Sequence, residues 1–179
     1  MKMAGAKAMV GMLLFVVVCV LIAISTATDF WSTFGPIEGE HFSVGLWRSC
    51  AYTNGEKVCQ AFTEHLRAFM YGARACMVLS CILALVALVC TALIFIAERT
   101  KLRMVAVGIM YAGTGLLVLV GTAWFASVYS KDAKRAGVDF SFGYSIILGW
   151  VSVPFAIVSG LLIVSQAYFG SQQRYTTLP

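Results

Sequence analysis

The stretch Gly45–Cys59, GLWRSCAYTNGEKVC, decides how the rest of the chain is read. It holds two of the six cysteines and one of the four tryptophans, in a polar interval between long apolar segments. Asn54-Gly55 is a strong hairpin signal, because both central residues of a type I′ turn require positive φ. A two-residue turn there sets Thr53 opposite Glu56, Tyr52 opposite Lys57, Ala51 opposite Val58 and Cys50 opposite Cys59. With Thr53–Glu56 closing the turn, the alternation of pair types makes the cysteines a non-hydrogen-bonded pair. Such Cα atoms lie about 4.5 Å apart, at the short end of what a disulfide accepts. The same register faces Trp47 with Phe62, an aromatic cross-strand pair. A zinc site needs three or four ligands, and the loop adds only His41 and His65 to the cysteines. The spacing is also not the C-x-x-C of redox motifs. A structural disulfide is the reading, with no metal or cofactor expected.

Outward from this hairpin the chain is greasy. Of 179 residues 60% are hydrophobic and 12% charged, against about 25% charged in soluble domains. Four apolar runs, at about 8–27, 75–97, 104–128 and 144–167, are each long enough to cross a hydrocarbon core of about 30 Å. The first has Lys2 and Lys7 before it, as a signal peptide would. Its apolar part exceeds the usual length of about 7–15 residues, so it reads as a membrane anchor. The net charge of +5 is dispersed over every polar segment without a basic block. That argues for a bilayer partner and against nucleic acid.

Sidedness follows from the flanks. Placing the N-terminus inside puts six Lys/Arg within and seven outside, which is undecided in total. The two lysines ahead of the first run and the link ERTKLR between the second and third nevertheless favour cytoplasmic termini. A Cys50–Cys59 bridge would persist only in an oxidising compartment, which places its loop outside. The expected topology is a single four-helix membrane domain, 1–179, with extracellular loops at about 28–70 and 129–143.

The combination Trp31, Gly45-Leu46-Trp47, Cys50 and Cys59 resembles the W-GLW-C-C signature of the claudin, epithelial membrane protein and peripheral myelin protein superfamily. The likeness covers the whole chain. ATDFW at Ala27–Trp31, ARACMVLS at Ala73–Ser80 and TAWFA at Thr122–Ala126 are similar to claudin helix ends. FGYSIILGW at Phe142–Trp150 resembles epithelial membrane proteins and the lens fibre membrane intrinsic protein. The resemblance implies an all-α membrane protein. Its fold would be a left-handed four-transmembrane-helix bundle with a small antiparallel extracellular β-sheet. Trp47 would anchor at the membrane interface. It further implies a role in cell junctions, adhesion or membrane organisation at the plasma membrane. Partners would be the bilayer and either further copies, in cis or trans, or lateral membrane proteins. The interval from Trp31 to Gly45 is shorter than in typical claudins, and the terminal YTTLP lacks their hydrophobic end residue.

Other features are weighed individually. Arg74, at the start of the second run, is read as a structural charge paired with Asp29 or with loop carbonyls. Gly108, Ala112 and Gly115 approximate a small-residue helix contact, and Pro154 predicts a kink or a tolerated break. Cys19, Cys76, Cys81 and Cys90 lie within the runs and read as packing residues. Tyr175 and Leu178 fit a Tyr-x-x-Leu sorting pattern, which suggests a vesicular or lysosomal alternative. EHFSVGLWRSC also resembles calcium-channel γ subunits, hence a second alternative, an accessory subunit of a channel or receptor. No catalytic residues are identified. Both histidines lie in the first loop without a nucleophile at an evident spacing, and no enzyme is expected.

Overall fold

The computed structural model describes residues 2–37, 40–53, 56–62, 68–96 and 100–176. Four helices carry the chain: α1 (Lys2–Ala27), α2 (Ala68–Ile96), α3 (Lys101–Ala136) and α4 (Tyr144–Thr176). Between α1 and α2 lie strands β1 (Ser32–Ile37), β2 (Glu40–Val44), β3 (Arg48–Thr53) and β4 (Glu56–Ala61). A fifth short strand, β5 (Phe140–Phe142), lies between α3 and α4.

All four helices are long and apolar enough to cross a membrane. Their apolar residues point both ways. Phe15, Val18, Ile22, Met77, Tyr111, Val118, Phe125 and Ile146 fill the interior, while Leu13, Ile82, Leu85, Leu116 and Leu161 face outward. A helix that is apolar all round belongs in lipid. With no hydrophobic drive between helices in a bilayer, small residues and hydroxyls do the packing. A Cβ on Gly160 would sit 2.9 Å from the Gly108 carbonyl oxygen, and one on Gly115 would sit 3.2 Å from Ala156 Cβ. Helices α3 and α4 therefore approach backbone to backbone. The small-residue reading needs correction at one place: Gly108 and Gly115 face α4, but Ala112 points outward. Seven residues are close to two full turns, so the two glycines line up, while Ala112 falls about 40° and about 60° round the helix from them, toward the outer side.

Several hydroxyls in the bundle return bonds to their own helices. Thr122 donates to the Val118 carbonyl at 2.8 Å and Ser159 to the Phe155 carbonyl at 2.7 Å. Others cross between helices, and Thr26 Oγ1 meets Cys81 Sγ at 3.7 Å between α1 and α2. Thr91 and Tyr111 share a hydrogen bond of 2.8 Å, and Trp150 Nε1 donates to Thr122 Oγ1 at 3.0 Å. Tyr111 also stacks on Phe15, tying α1 to α2 and α3. Helix α4 continues through Pro154, whose missing N–H leaves the Trp150 carbonyl without its usual helical donor. The four cysteines Cys19, Cys76, Cys81 and Cys90 are free and half-buried.

Two helices outrun their apolar segments. Helix α2 begins at Ala68 rather than Ala75, because Met70 and Ala73 already turn inward and are buried. Helix α3 has 36 residues and is about 54 Å long at 1.5 Å per residue. Residues 129–136, read from the sequence as loop, are its last two turns. It stops at Gly137, which adopts φ 66°. The Gly137 N–H reaches the Lys134 carbonyl and the Val138 N–H the Ala133 carbonyl, a Schellman termination. Lys134 and Arg135 in the final turn complement the helix dipole.

The five strands form one antiparallel sheet in the order β4-β3-β2-β1-β5. The small antiparallel sheet implied by the resemblance is present. Its fifth strand was not anticipated: a three-residue Phe-Ser-Phe run carries too little pattern to read. In the β3–β4 hairpin Thr53 pairs with Glu56, Tyr52 with Lys57, Ala51 with Val58 and Cys50 with Cys59, as the turn predicts. Asn54 and Gly55 themselves lie outside the described residues.

Candidate functional site

The site is the joint between the sheet and one end of the bundle. Cys50 and Cys59 are bonded, with Cα atoms 4.0 Å apart. The bridge locks β3 to β4 nine residues apart in sequence. Strands β2 and β3 are joined by a tight turn in which the Gly45 N–H donates to the Arg48 carbonyl at 2.9 Å. Leu46 and Trp47 form its tip. Leu46 is fully buried, whereas Trp47 is 40% exposed.

An α-helix ends with four carbonyls that lack intrahelical donors. In α1 these belong to Ile24, Ser25, Thr26 and Ala27, and tryptophans cap two of them. Trp31 Nε1 donates to the Ser25 carbonyl at 2.7 Å, and Trp47 Nε1 donates to the Thr26 carbonyl at 2.8 Å. Ile24 receives the Thr28 N–H at 3.1 Å. Trp31 is completely buried, its ring edge-on to Phe125 with centroids 4.9 Å apart. Both tryptophans thus act as donors as well as packing groups, a role visible only once the chain has turned back on the helix end.

Arg74 donates from Nε to the Leu46 carbonyl at 2.8 Å. Its guanidinium lies 5.1 Å from the Trp47 ring and 5.7 Å from the Phe62 ring. The Phe62 N–H in turn donates to the Trp47 carbonyl at 3.2 Å, so the pairing of these two aromatics is realised with a cation set over both rings. Of the two partners considered for Arg74, the loop carbonyl is the one used. Asp29 is taken instead by Arg48, whose Nε lies 2.6 Å from Asp29 Oδ2. That hydrogen bond, with the attraction of the opposite charge, raises the Arg48 pKa above its ordinary value. Asp29 is buried and Arg48 half-exposed.

The link Thr28–Trp31 runs between two glycines. A Cβ on Gly45 would lie 2.5 Å from the Asp29 Cα, and a Cβ on Gly143 would collide with the Phe30 carbonyl oxygen. The Gly143 and Ser145 N–H groups donate to the Trp31 and Phe30 carbonyls at 3.0 and 3.1 Å, and the Trp31 N–H donates to the Val44 carbonyl at 3.0 Å. Sequence reasoning singled out Gly45 and missed Gly143. The FGY at 142–144, noted only as a likeness, was the available signal.

Tyr175 lies on the last turn of α4; its side chain, and Leu178 altogether, fall outside the described residues. His65 does too. Among the described residues no three His, Cys, Asp or Glu side chains gather where they could hold a metal ion.

In three dimensions, then, the end of α1 is capped by Trp31 and Trp47 beside the Cys50–Cys59 staple. The sequence pattern of the PMP-22/EMP/MP20/Claudin family matches residues 5–163. The chain belongs to this family. The lens fiber membrane intrinsic protein of Rattus norvegicus is 31% identical over 161 residues, covering 88% of this chain and 90% of that protein. Epithelial membrane protein 1 of Homo sapiens is 27% identical over 144 residues, covering 80% and 85%. Epithelial membrane protein 3 of Homo sapiens is 24% identical over 151 residues, covering 84% and 90%. The chain is therefore a multi-pass integral membrane protein of the claudin and epithelial membrane protein type.

Proposed function

We propose that this protein works in cell junctions, cell–cell adhesion or membrane organisation at the plasma membrane, with both termini cytoplasmic and the sheet outside. The observation that carries the reading is the set of ties that hold the sheet. It is stapled by Cys50–Cys59, closed by β5 from the other loop, and fastened to the bundle through Trp31, Trp47 and Arg74. A stiff outer platform loses little freedom on meeting another surface, so more of its contact energy appears as affinity. Strand β4 lies at the edge of the sheet and is exposed along its whole length, which suits contact with a second copy or a neighbour. The disulfide supports the outer placement, as do the basic flanks of 1–7 and 98–103.

The test is imaging of tagged protein in contacting cells, wild type beside Cys50→Ala. Enrichment at contacts, lost or reduced in the variant, is the expected result. Normal delivery and contact enrichment of Cys50→Ala overturns the role given to the stapled loop. A stoichiometric channel subunit recovered in mild detergent, without contact enrichment, would favour the accessory-subunit alternative. A vesicular pattern that Tyr175→Ala abolishes would favour the sorting alternative.

A further inference from the structure

One face of the sheet carries an aligned row of small polar side chains. Ser141 on β5 pairs with Thr33 on β1, Thr33 with Ser43 on β2, and Ser43 with Cys50 on β3. Side chains alternate along a strand, so residues two positions away share the face. His41 and Tyr52 stand there beside each other, with Lys57 beyond Tyr52. Asp139 packs against Gly35, where an added Cβ would lie 2.9 Å from the Asp139 Cβ. All of these except Cys50 and Lys57, together with phenylalanines of β1, β2 and β5, line a concavity of about 410 Å³, within the range of small-molecule sites, about 300–1,000 Å³.

Its chemistry is specific. Thr33 and Ser141 share one hydrogen bond of 2.6 Å between their hydroxyls. Each hydroxyl has one donor and two acceptor lone pairs, so the couple retains one donor and several acceptors for a ligand. Ser43, one of the lining residues, is 1% exposed, and its Oγ has no hydrogen-bond partner. A buried hydroxyl left unpaired is costly, and a small turn of the side chain would offer it to a polar ligand. Asp139 and His41 add an acceptor pair and a donor–acceptor ring at the rim. Phe30 and Tyr52, with centroids 6.3 Å apart, supply an apolar wall that Lys57 covers in part.

We propose that this concavity binds a neutral sugar ring. Such a ring alternates hydroxyls that both donate and accept with apolar C–H faces, matching a hydroxyl floor, a carboxylate rim and an aromatic wall. A phosphate or sulfate group would meet the Asp139 carboxylate, while Lys57 is already set against the Phe30 and Tyr52 rings at 5.1 and 5.7 Å. An extended peptide adds to a sheet edge through backbone groups, whereas this cup lies within the sheet, on β1 and β2, where neighbouring strands use the backbone. The only asparagine, Asn54, precedes Gly-Glu and forms no N-glycosylation sequon. The chain thus carries no N-linked sugar, and the source proposed is another molecule, a glycolipid headgroup or a glycan on a facing protein.

The inference rests on the proposed outer placement only for access in cells; binding by purified protein is indifferent to sidedness, so the two readings fail separately. The experiment uses the full chain in phosphatidylcholine nanodiscs, because alkyl-glycoside detergents carry the same rings. Saturation-transfer NMR is recorded with the methyl glycosides of glucose, galactose, mannose and N-acetylglucosamine. Transfer to at least one is expected. Binding should weaken about tenfold or more in Asp139→Asn, the scale of one lost charge-assisted hydrogen bond, and about three- to tenfold in the double variant Thr33→Val/Ser141→Ala, the scale of a lost neutral one. Ser43→Ala should weaken binding while leaving the unfolding midpoint unchanged or raised, which a purely structural serine would not do. The intact Cys50–Cys59 bond on non-reducing gels verifies the fold of each variant. No transfer to any glycoside, or transfer untouched by all three changes, overturns the proposal. Vesicles containing galactosylceramide or glucosylceramide, and albumin carrying the same sugar, then separate the two sources; binding to neither overturns it as well.

Discussion

Replacing Trp31 by Phe tests whether the signature tryptophans act as helix caps. The change keeps an aromatic ring against Phe125 and removes the donor to the Ser25 carbonyl. Trp31 is fully buried, so water cannot replace the lost bond. An unsatisfied buried acceptor costs about 1–3 kcal/mol, and the smaller ring adds about 1 kcal/mol for the space it vacates. The expected loss is about 2–4 kcal/mol. Trp47→Phe removes the equivalent bond to the Thr26 carbonyl, but Trp47 is 40% exposed. Water can reach that carbonyl, and the expected loss is the net value of one exchanged hydrogen bond, about 0.5–1.5 kcal/mol. The assay is reversible unfolding by SDS in mixed micelles, followed by far-UV circular dichroism. A benzothiophene analogue of tryptophan at position 31 keeps the ring volume and deletes only the N–H. It should cost about 1–3 kcal/mol on its own. The reasoning is refuted if Trp47→Phe costs as much as Trp31→Phe, or if the benzothiophene variant stays within about 0.5 kcal/mol of wild type.

Three further expectations use the same joint. Gly143→Ala places a Cβ on the Phe30 carbonyl and should cost about 1–3 kcal/mol or more. Gly137→Ala, with nothing within 4 Å but φ 66°, should cost only about 1 kcal/mol; a thermal melt of the two in detergent ranks them, and the reverse order contradicts the close approach. Arg74→Lys keeps the charge but loses the planar contact with Trp47 and Phe62 and should cost about 1–2 kcal/mol; equal midpoints would show that charge alone matters. Breaking Cys50–Cys59, by reduction or by a double Ser substitution, frees a short loop and should cost about 2.5–3 kcal/mol in the chain-entropy account. The two routes should give the same midpoint shift.

The hairpin register was legible because turn chemistry is local: Asn54-Gly55 dictates which residues face each other whatever surrounds them. The four spans were legible because a bilayer demands length and apolarity from each helix separately. The end of α3 was within reach too. Ala136-Gly137 after Lys134 and Arg135 is a helix stop signal, overlooked because the apolar run ends eight residues earlier. The Trp47–Phe62 pairing followed from register, but Arg74 covering both rings did not, since Arg74 lies on another element.

By itself, then, the sequence determined the membrane class, the disulfide partners and the W-GLW-C-C pattern, since each depends on neighbours in the chain or on the solvent a segment requires. Tertiary structure decided the rest. It chose Arg48 over Arg74 for Asp29, gave two tryptophans the open carbonyls of α1, and brought β5 to β1 beside Gly143. Hydrogen-bond donors and strand edges find whichever partner the packing brings within about 3 Å, and residues 31 and 143 learn of each other only when the helices have come together.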